Sequence, residues 1–262
     1  MAVADALVQR YFDLIYNPSY DWTVGRFSAY RRLQERCVGR CSFRDGDRVL
    51  CVGVGTGNEL GHILELGRSL ELVGIDTSGK ALRRAREKAA RAGHDLQVFR
   101  MDARRLGFPD ECFDIVVCIH VMDFVGDVEQ ATAEILRVLR PGGEFVVTFP
   151  WEMEGATLGA NIVREGLYQD LRYRRFRAAL AQVAALVGVS LVYAPILLRP
   201  RRRVFEPAEL AEMFRRRGAG AMQVESDDVY LDLIASGEKE GFQSHGAEAD
   251  ASGGRVLLHA QR

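Results

Sequence analysis

A surplus of charge of either sign is what this chain of 262 residues most plainly lacks. Its 35 Lys and Arg face 36 Asp and Glu, for a formal net charge of −1. A balanced surface offers no electrostatic footprint for a polyanion, so nucleic acid is not expected as a partner. Long apolar runs are missing too, and no membrane-spanning helix is expected. The first residues, Met1-Ala2-Val3-Ala4-Asp5, lack the basic and apolar regions of a signal peptide, which points to a cytoplasmic protein. Cysteine is sparse: Cys37, Cys41, Cys51, Cys112 and Cys118 are all there are, and the last three fall on or beside expected core strands. That pattern fits buried, reduced thiols and not a disulfide framework. Cys37 and Cys41 sit four apart on an expected helix, but no second pair has ligand spacing, so no metal is expected there. What the chain does have is apolar mass, 48% of its residues, enough for the core of one elaborated α/β domain or a domain with a small cap.

The organising stretch is Val49-Leu50-Cys51-Val52-Gly53-Val54-Gly55-Thr56-Gly57-Asn58-Glu59-Leu60. A short apolar run reads as a buried strand, three alternate glycines as a loop, and Leu60, Ile63 and Leu64 as one face of a helix. Strand, glycine turn and helix together hold a nucleotide-like cofactor at a sheet edge, with the helix's first N–H groups open to a carboxylate or phosphate. The dinucleotide fingerprint G-x-G-x-x-G is not met, because Asn58 takes its sixth position; the spacing is G-x-G-x-G. Leu72-Val73-Gly74-Ile75-Asp76 reads as a second strand ending in an acid placed to accept from ribose hydroxyls. Such an acid serves several adenosine cofactors and does not by itself discriminate.

The later landmarks do. Leu96-Gln97-Val98-Phe99-Arg100 leads into Met101-Asp102-Ala103 as a third strand and its end, and Cys112-Phe113-Asp114-Ile115-Val116-Val117-Cys118 reads as a fourth. Residues 134–147 give a helix, a Leu-Arg-Pro-Gly-Gly turn and a fifth strand. Over residues 49–149 this series resembles a class I S-adenosylmethionine-dependent methyltransferase. The resemblance implies a Rossmann-like, doubly wound sheet of seven strands, mostly parallel with the last antiparallel. It implies S-adenosyl-L-methionine as cofactor, with Gly53, Val54, Gly55, Thr56 and Gly57 around the methionine moiety. It also implies Asp76 and Thr77 at the ribose, and Asp102 at the adenine amino group with Met101 and Ala103 alongside. The chain departs from the family at Cys51, where an Asp or Glu usually helps hold the cofactor's amino group; a thiol at its usual pKa cannot supply that charge.

Residues 2–16 and 27–38 have helical patterns, separated by Asn17-Pro18-Ser19 and Tyr20-Asp21-Trp22. This region resembles the N-terminal segment of quinone C-methyltransferases and some bacterial phospholipid N-methyltransferases, where it folds over the cofactor. The carry-over makes Tyr11, Tyr16, Tyr20 and Trp22 lid residues, with Tyr20 at the cofactor; aromatic faces suit a sulfonium cation. Plain packing of these rings onto the core is the competing reading. Residues 78–92 form a basic amphipathic helix, capped by Ser78 and stopped by Gly93, whose Arg83, Arg84, Arg86, Lys88 and Arg91 read as a solvated face. His120 follows the fourth strand, where α/β sites form. Two roles stand open for it: taking a proton from an acceptor nucleophile, or only hydrogen-bonding the cofactor. Asp123 stands near enough in sequence to orient His120 or a substrate amine.

Residues 151–203 read as an inserted, mostly helical cap that supplies the acceptor pocket. It carries Arg172, Arg174, Arg175, Arg177, Arg199, Arg201, Arg202 and Arg203. Solvated faces, an anion clamp and contact with an anionic membrane surface are the three readings of these arginines. Residues 207–217 read as a helix with Pro207 at its start, 222–226 and 230–235 as a closing antiparallel pair, and 237–262 as a flexible tail. The expected divisions are thus a lid (1–43), a cofactor-binding core (44–150), a cap (151–203), completion of the core (204–236) and the tail. The expected reaction is methyl transfer to a small, lipophilic or aromatic acceptor, without a metal. A cofactor-binding protein of the same fold without methyl transfer is the alternative, and a nicotinamide oxidoreductase is disfavoured by Asn58 and the Leu-Arg-Pro-Gly-Gly turn. The acceptor, the atom methylated and the oligomeric state are not readable.

Overall fold

The computed structural model describes Asp21, residues 28–151, Arg164, Tyr168, Arg172, and residues 203–229 and 231–241. Seven strands form one sheet: β1 Arg48–Val52, β2 Glu71–Asp76, β3 Leu96–Arg100, β4 Phe113–Cys118, β5 Leu139–Pro150, β6 Ala219–Asp227 and β7 Asp232–Lys239. Their spatial order is β3-β2-β1-β4-β5-β7-β6. β1 to β5 are parallel, and β7 runs antiparallel between β5 and β6. The expected sheet is therefore present, with its one antiparallel strand last in the chain.

Alternation along the central strands builds two cores. Leu50 and Val52 of β1, Val73 and Ile75 of β2, and Phe145, Val147 and Phe149 of β5 face α4 (Val128–Val138) and α5 (Pro207–Arg215). Val49 and Cys51 of β1, Leu72 of β2, Ile115 and Val117 of β4 and Val146 of β5 face α1 (Ser28–Val38), α2 (Asn58–Leu64) and α3 (Gly79–Arg91). Period-two alternation between two apolar faces is what a sheet covered by helices on both sides requires. The strand order reverses between β1 and β4, so the crevice beyond their carboxyl ends is where a ligand would sit. α1, the described helix of the segment expected as a lid, is built into the layer: Leu33 and Cys37 are fully buried.

Polar side chains lock the register. The Asp114 carboxylate accepts from the Arg48 backbone N–H at 2.8 Å and from Arg140 Nη1 at 2.6 Å, tying the start of β4 to β1 and β5. Arg137 holds Glu134 Oε1 and Asp110 Oδ1, each at 2.7 Å, and donates to the Phe108 and Leu106 carbonyls, each at 2.8 Å. On α3, the Ser78 hydroxyl accepts from Ala81 N at 3.2 Å, and Gly93, at φ 81°, follows the last turn, as expected.

Three expectations need correction. The Leu-Arg-Pro-Gly-Gly segment is not a free turn but the start of β5, distorted so that its pairing jumps from Phe113↔Leu139 to Ile115↔Glu144. Gly143 fits there because a Cβ would lie 2.9 Å from Asp114 O, Arg140 O and Leu139 Cγ. The tail does not begin at 237: β7 continues to Lys239, with Gly237 opposite Phe145 and Glu238 opposite Glu144. Strands on both sides supply the ladder that a Gly- and Glu-containing stretch does not advertise. The basic face of α3 is not uniformly solvated either. Lys88 turns to Asp21 and Asn58, because the neighbouring α2 and the Asp21 segment bring oxygens within its reach. Within residues 151–203, Arg164, Tyr168 and Arg172 are helical and exposed.

Candidate active site

The glycine loop closes over the ends of β1 and β2. Val54 N–H donates to the Ile75 carbonyl at 2.9 Å, and its buried side chain lies over Gly74, where a Cβ would come within 3.0 Å of Val54 Cγ1. Gly53, at φ 66°, meets the segment after β4: a Cβ there would lie 2.2 Å from Val121 Cγ2. A left-handed conformation and that contact together demand glycine. Gly57 makes the third approach, with Leu60 Cδ1 at 2.9 Å and Ala85 Cα at 3.1 Å from a hypothetical Cβ, so α2 and α3 can close.

Asp76, at the end of β2, stitches this loop to the next. Its Oδ2 accepts from Gly55 N at 3.0 Å and its Oδ1 from Ser78 N at 2.7 Å. A carboxylate at this strand end is an acceptor-only group of the kind that holds hydroxyls. Thr77 beside it is exposed, and its carbonyl accepts from Arg100 Nε at 2.8 Å. Met101 N–H donates to the Asp76 carbonyl at 3.2 Å, which brings the end of β3 next to that of β2. Ala103 is buried. Asp102 is already engaged: Arg104 grips it with Nε at 3.0 Å from Oδ1 and Nη2 at 2.6 Å from Oδ2, and holds the carboxyl below its usual range.

A second polar group forms where α2 starts. The Thr56 hydroxyl donates to the Asp21 carboxylate, and Lys88 Nζ lies 3.0 Å from Asp21 Oδ1 and 2.8 Å from Asn58 Oδ1. Glu59 stands in the first turn of α2, partly buried, and burial pushes its carboxyl up to about 8. Cys51 is fully buried, and burial drives its thiol well above its ordinary value, with the Glu59 charge adding to the effect. It is a neutral core residue, as its chemistry suggests.

On the other side of the crevice, His120 leaves β4 in a left-handed backbone conformation, φ 57°. Its N–H donates to the Thr148 hydroxyl at 2.8 Å, which anchors it to β5. The ring lies 5.1 Å from that of Tyr30, centroid to centroid, and Nε2 is 3.3 Å from Asp232 Oδ2. Asp232 opens β7 and is 1% exposed. Burial pushes the imidazole down to about 4, so it is neutral at physiological pH. Asp123 joins them, with one ligating atom of each of the three residues within 4.8 Å of the others.

The protein-family description that matches residues 50–147 is a methyltransferase domain. A phosphatidylethanolamine N-methyltransferase of Cereibacter sphaeroides is 38% identical over 143 residues, which are 54% of this chain and 68% of that protein. The chain belongs to the class I S-adenosylmethionine-dependent methyltransferases. A demethylmenaquinone methyltransferase of Thermus thermophilus is 35% identical over 131 residues, 50% of this chain and 60% of that relative. The chain thus spans about two thirds or less of these relatives. In fold, a methyltransferase structure from Thermotoga maritima superposes with a TM-score of 0.56 at 18% identity, over 88% of this chain and 99% of that one.

Within this family frame, the structure brings Gly53, Val54, Gly55, Thr56, Gly57, Asp76, Thr77, Met101, Asp102, Ala103 and His120 to the carboxyl ends of neighbouring strands. Tyr11, Tyr16, Tyr20 and Trp22 lie outside the described residues. Of the cap arginines, Arg172 donates to Tyr168 Oη at 3.4 Å, and Arg203 pairs with Glu209 and lies over the Phe205 ring. Sequence reasoning missed Asp21, Glu59, Lys88, Thr148 and Asp232. Asp232 had a readable signal, an acid inside the apolar run Leu231-Asp232-Leu233-Ile234. Lys88 and Thr148 had none, since each acts through a neighbour distant in sequence.

Proposed function

We propose that this protein transfers a methyl group from S-adenosyl-L-methionine to a small, lipophilic or aromatic acceptor. The observation that carries the reading is the Asp76 carboxylate joined to the Gly55 N–H, which fixes a glycine loop and a hydroxyl-binding acid as one unit at the strand-order switch. When bound, the cofactor supplies an electrophilic methyl on a sulfonium, so the protein's task is alignment and exclusion of water. Gly53 to Gly57 and Asp76 with Thr77 hold the methionine and ribose parts, and Met101, Asp102 and Ala103 line the adenine end. Asp102 serves there together with Arg104, as one ion pair. The resemblance assigns Tyr20 and its neighbouring aromatics to the lid, and residues 151–203 to the acceptor pocket.

His120 takes the acceptor's proton. A neutral imidazole is able to do so, and Asp232 at 3.3 Å stabilises the imidazolium that forms. The apolar cap and the names of the relatives support a lipophilic acceptor, with an anionic membrane surface as one place to meet it. Calorimetric titration with S-adenosylhomocysteine tests the cofactor reading, and micromolar binding is expected; absence of binding overturns it. The neutral Cys51 favours one other reading, cofactor binding without methyl transfer. Incubation with methyl-labelled cofactor and lipid or quinone extracts separates the two, since label moves to an extractable product only under the first.

A further inference from the structure

Methyl transfer to a neutral acceptor moves a positive charge across the crevice. As the acceptor's lone pair forms its bond to the methyl carbon, the C–S bonding pair is left on sulfur, and the acceptor's proton passes to His120. The charge that leaves the sulfur thus reappears on the imidazole. A cation at a recessed site is costly unless its surroundings meet it. Thr148, on β5, holds the His120 backbone N–H at 2.8 Å. Among the described residues, the charged groups beside the ring are Asp123, from the segment after β4, and Asp232, from β7, with Oδ2 3.3 Å from Nε2.

A third group reaches the imidazole from α1. Tyr30 shares one stripe of that helix with Leu33 and Cys37, three and seven residues on. Leu33 and Cys37 enter the core beside Val49 and Cys51 of β1. Tyr30, at the end of the stripe, is 4% exposed, and its ring meets His120 at 5.1 Å between centroids and 54° between planes. A cation within about 6 Å of an aromatic centroid is attracted by the ring's quadrupole. A neutral imidazole gains far less from the same ring, so the attraction grows as the proton arrives. Only an interaction that strengthens along the reaction in this way speeds it. We infer that Tyr30 is a positioning residue for His120, which holds the imidazole in place and stabilises the imidazolium through its aromatic ring. The inference rests on the proton-acceptor role of His120 proposed above. Tyr30 adds to the effect of Asp232 without burying a further charge.

The readout is the rate of label transfer from methyl-labelled S-adenosyl-L-methionine to lipid and quinone extracts at saturating cofactor. Tyr30→Leu keeps apolar bulk and removes the ring. It should slow transfer about 2- to 30-fold, move the acid limb of the pH–rate profile to lower pH, and leave S-adenosylhomocysteine affinity unchanged. Tyr30→Phe should keep most of the rate. Phenylalanine carrying one, two and three ring fluorines at position 30 keeps the shape and drains the ring face, so the rate should fall stepwise. That series opens no cavity and holds even if Tyr30→Leu folds poorly. In a His120→Gln background, Tyr30→Leu should have no further effect. A constant rate along the fluorine series, a Tyr30→Phe loss equal to that of Tyr30→Leu, or the same Tyr30→Leu loss with and without His120 would overturn the inference while His120 keeps its role. If His120→Gln transfers label at the full rate, the proton-acceptor reading falls, and the inference with it.

Discussion

The two walls of the crevice are built in different ways. The wall formed by the glycine loop is local: Gly53, Gly55 and Gly57 follow β1, and Asp76 ends β2, the next strand in the chain. The opposite wall is assembled: His120 ends β4, Thr148 lies on β5, and Asp232 arrives on the antiparallel β7. The first wall is held by backbone geometry, with positive-φ glycines and N–H groups bonded to a carboxylate. The second is held by side chains buried together, one of them a histidine with a strained backbone. A local wall suits a cofactor part that many enzymes share. An assembled wall can change with the acceptor, since each contributing strand end varies independently.

The sharpest way to break this contrast is to remove the proton acceptor. His120→Gln should lower kcat by about 10²–10⁴-fold, the usual range for a general base, and leave S-adenosylhomocysteine affinity unchanged. Asp232→Asn should reproduce part of that loss and shift the pH–rate profile. If His120→Gln instead weakens cofactor binding with kcat intact, His120 belongs to the cofactor wall and the division fails.

On the other wall, Asp76→Ala removes the acceptor of two backbone N–H groups as well as the expected ribose ligand. Cofactor affinity should fall by roughly 1–3 kcal/mol, with kcat at saturation much less affected. Unchanged affinity in calorimetry would mean that the ribose site lies elsewhere.

The smallest expected effect is on stability. Glu59 titrates near 8 in the folded chain, against 4.5 ordinarily, so between these values the folded state keeps a proton that the unfolded state has lost. Stability from this group therefore declines as pH rises from about 4.5 to about 8. His120 acts with the opposite sign: at about 4 folded and 6.5 unfolded, it makes stability rise with pH over that interval. The Glu59 slope is thus cleanest between pH 6.5 and 8, where thermal melts of Glu59→Gln should be flatter than those of the unaltered protein. Parallel melts would show that the Glu59 carboxyl is not raised in the folded chain.

The local wall was legible in the sequence because its information is contiguous. An apolar run, alternate glycines, and an acid at the end of the next strand state the strand, the turn and the hydroxyl acceptor within one βαβ unit. The two-sided sheet was legible for the same reason, since period-two alternation is a local property. Glu59 had no assigned role, because nothing in the linear order says that burial raises its carboxyl. Lys88 looked like one more solvated cation until α2 and Asp21 supplied its oxygens. Asp232 reaches His120 only because β7 runs antiparallel beside β5, a pairing set by burial of both faces of that strand. The sequence by itself determined the fold class and the loop that could hold a cofactor, since both follow from short-range sterics and alternation. Only the tertiary structure decided which carboxylate stands behind the histidine and which oxygens meet Lys88, because charges meet through space and not along the chain.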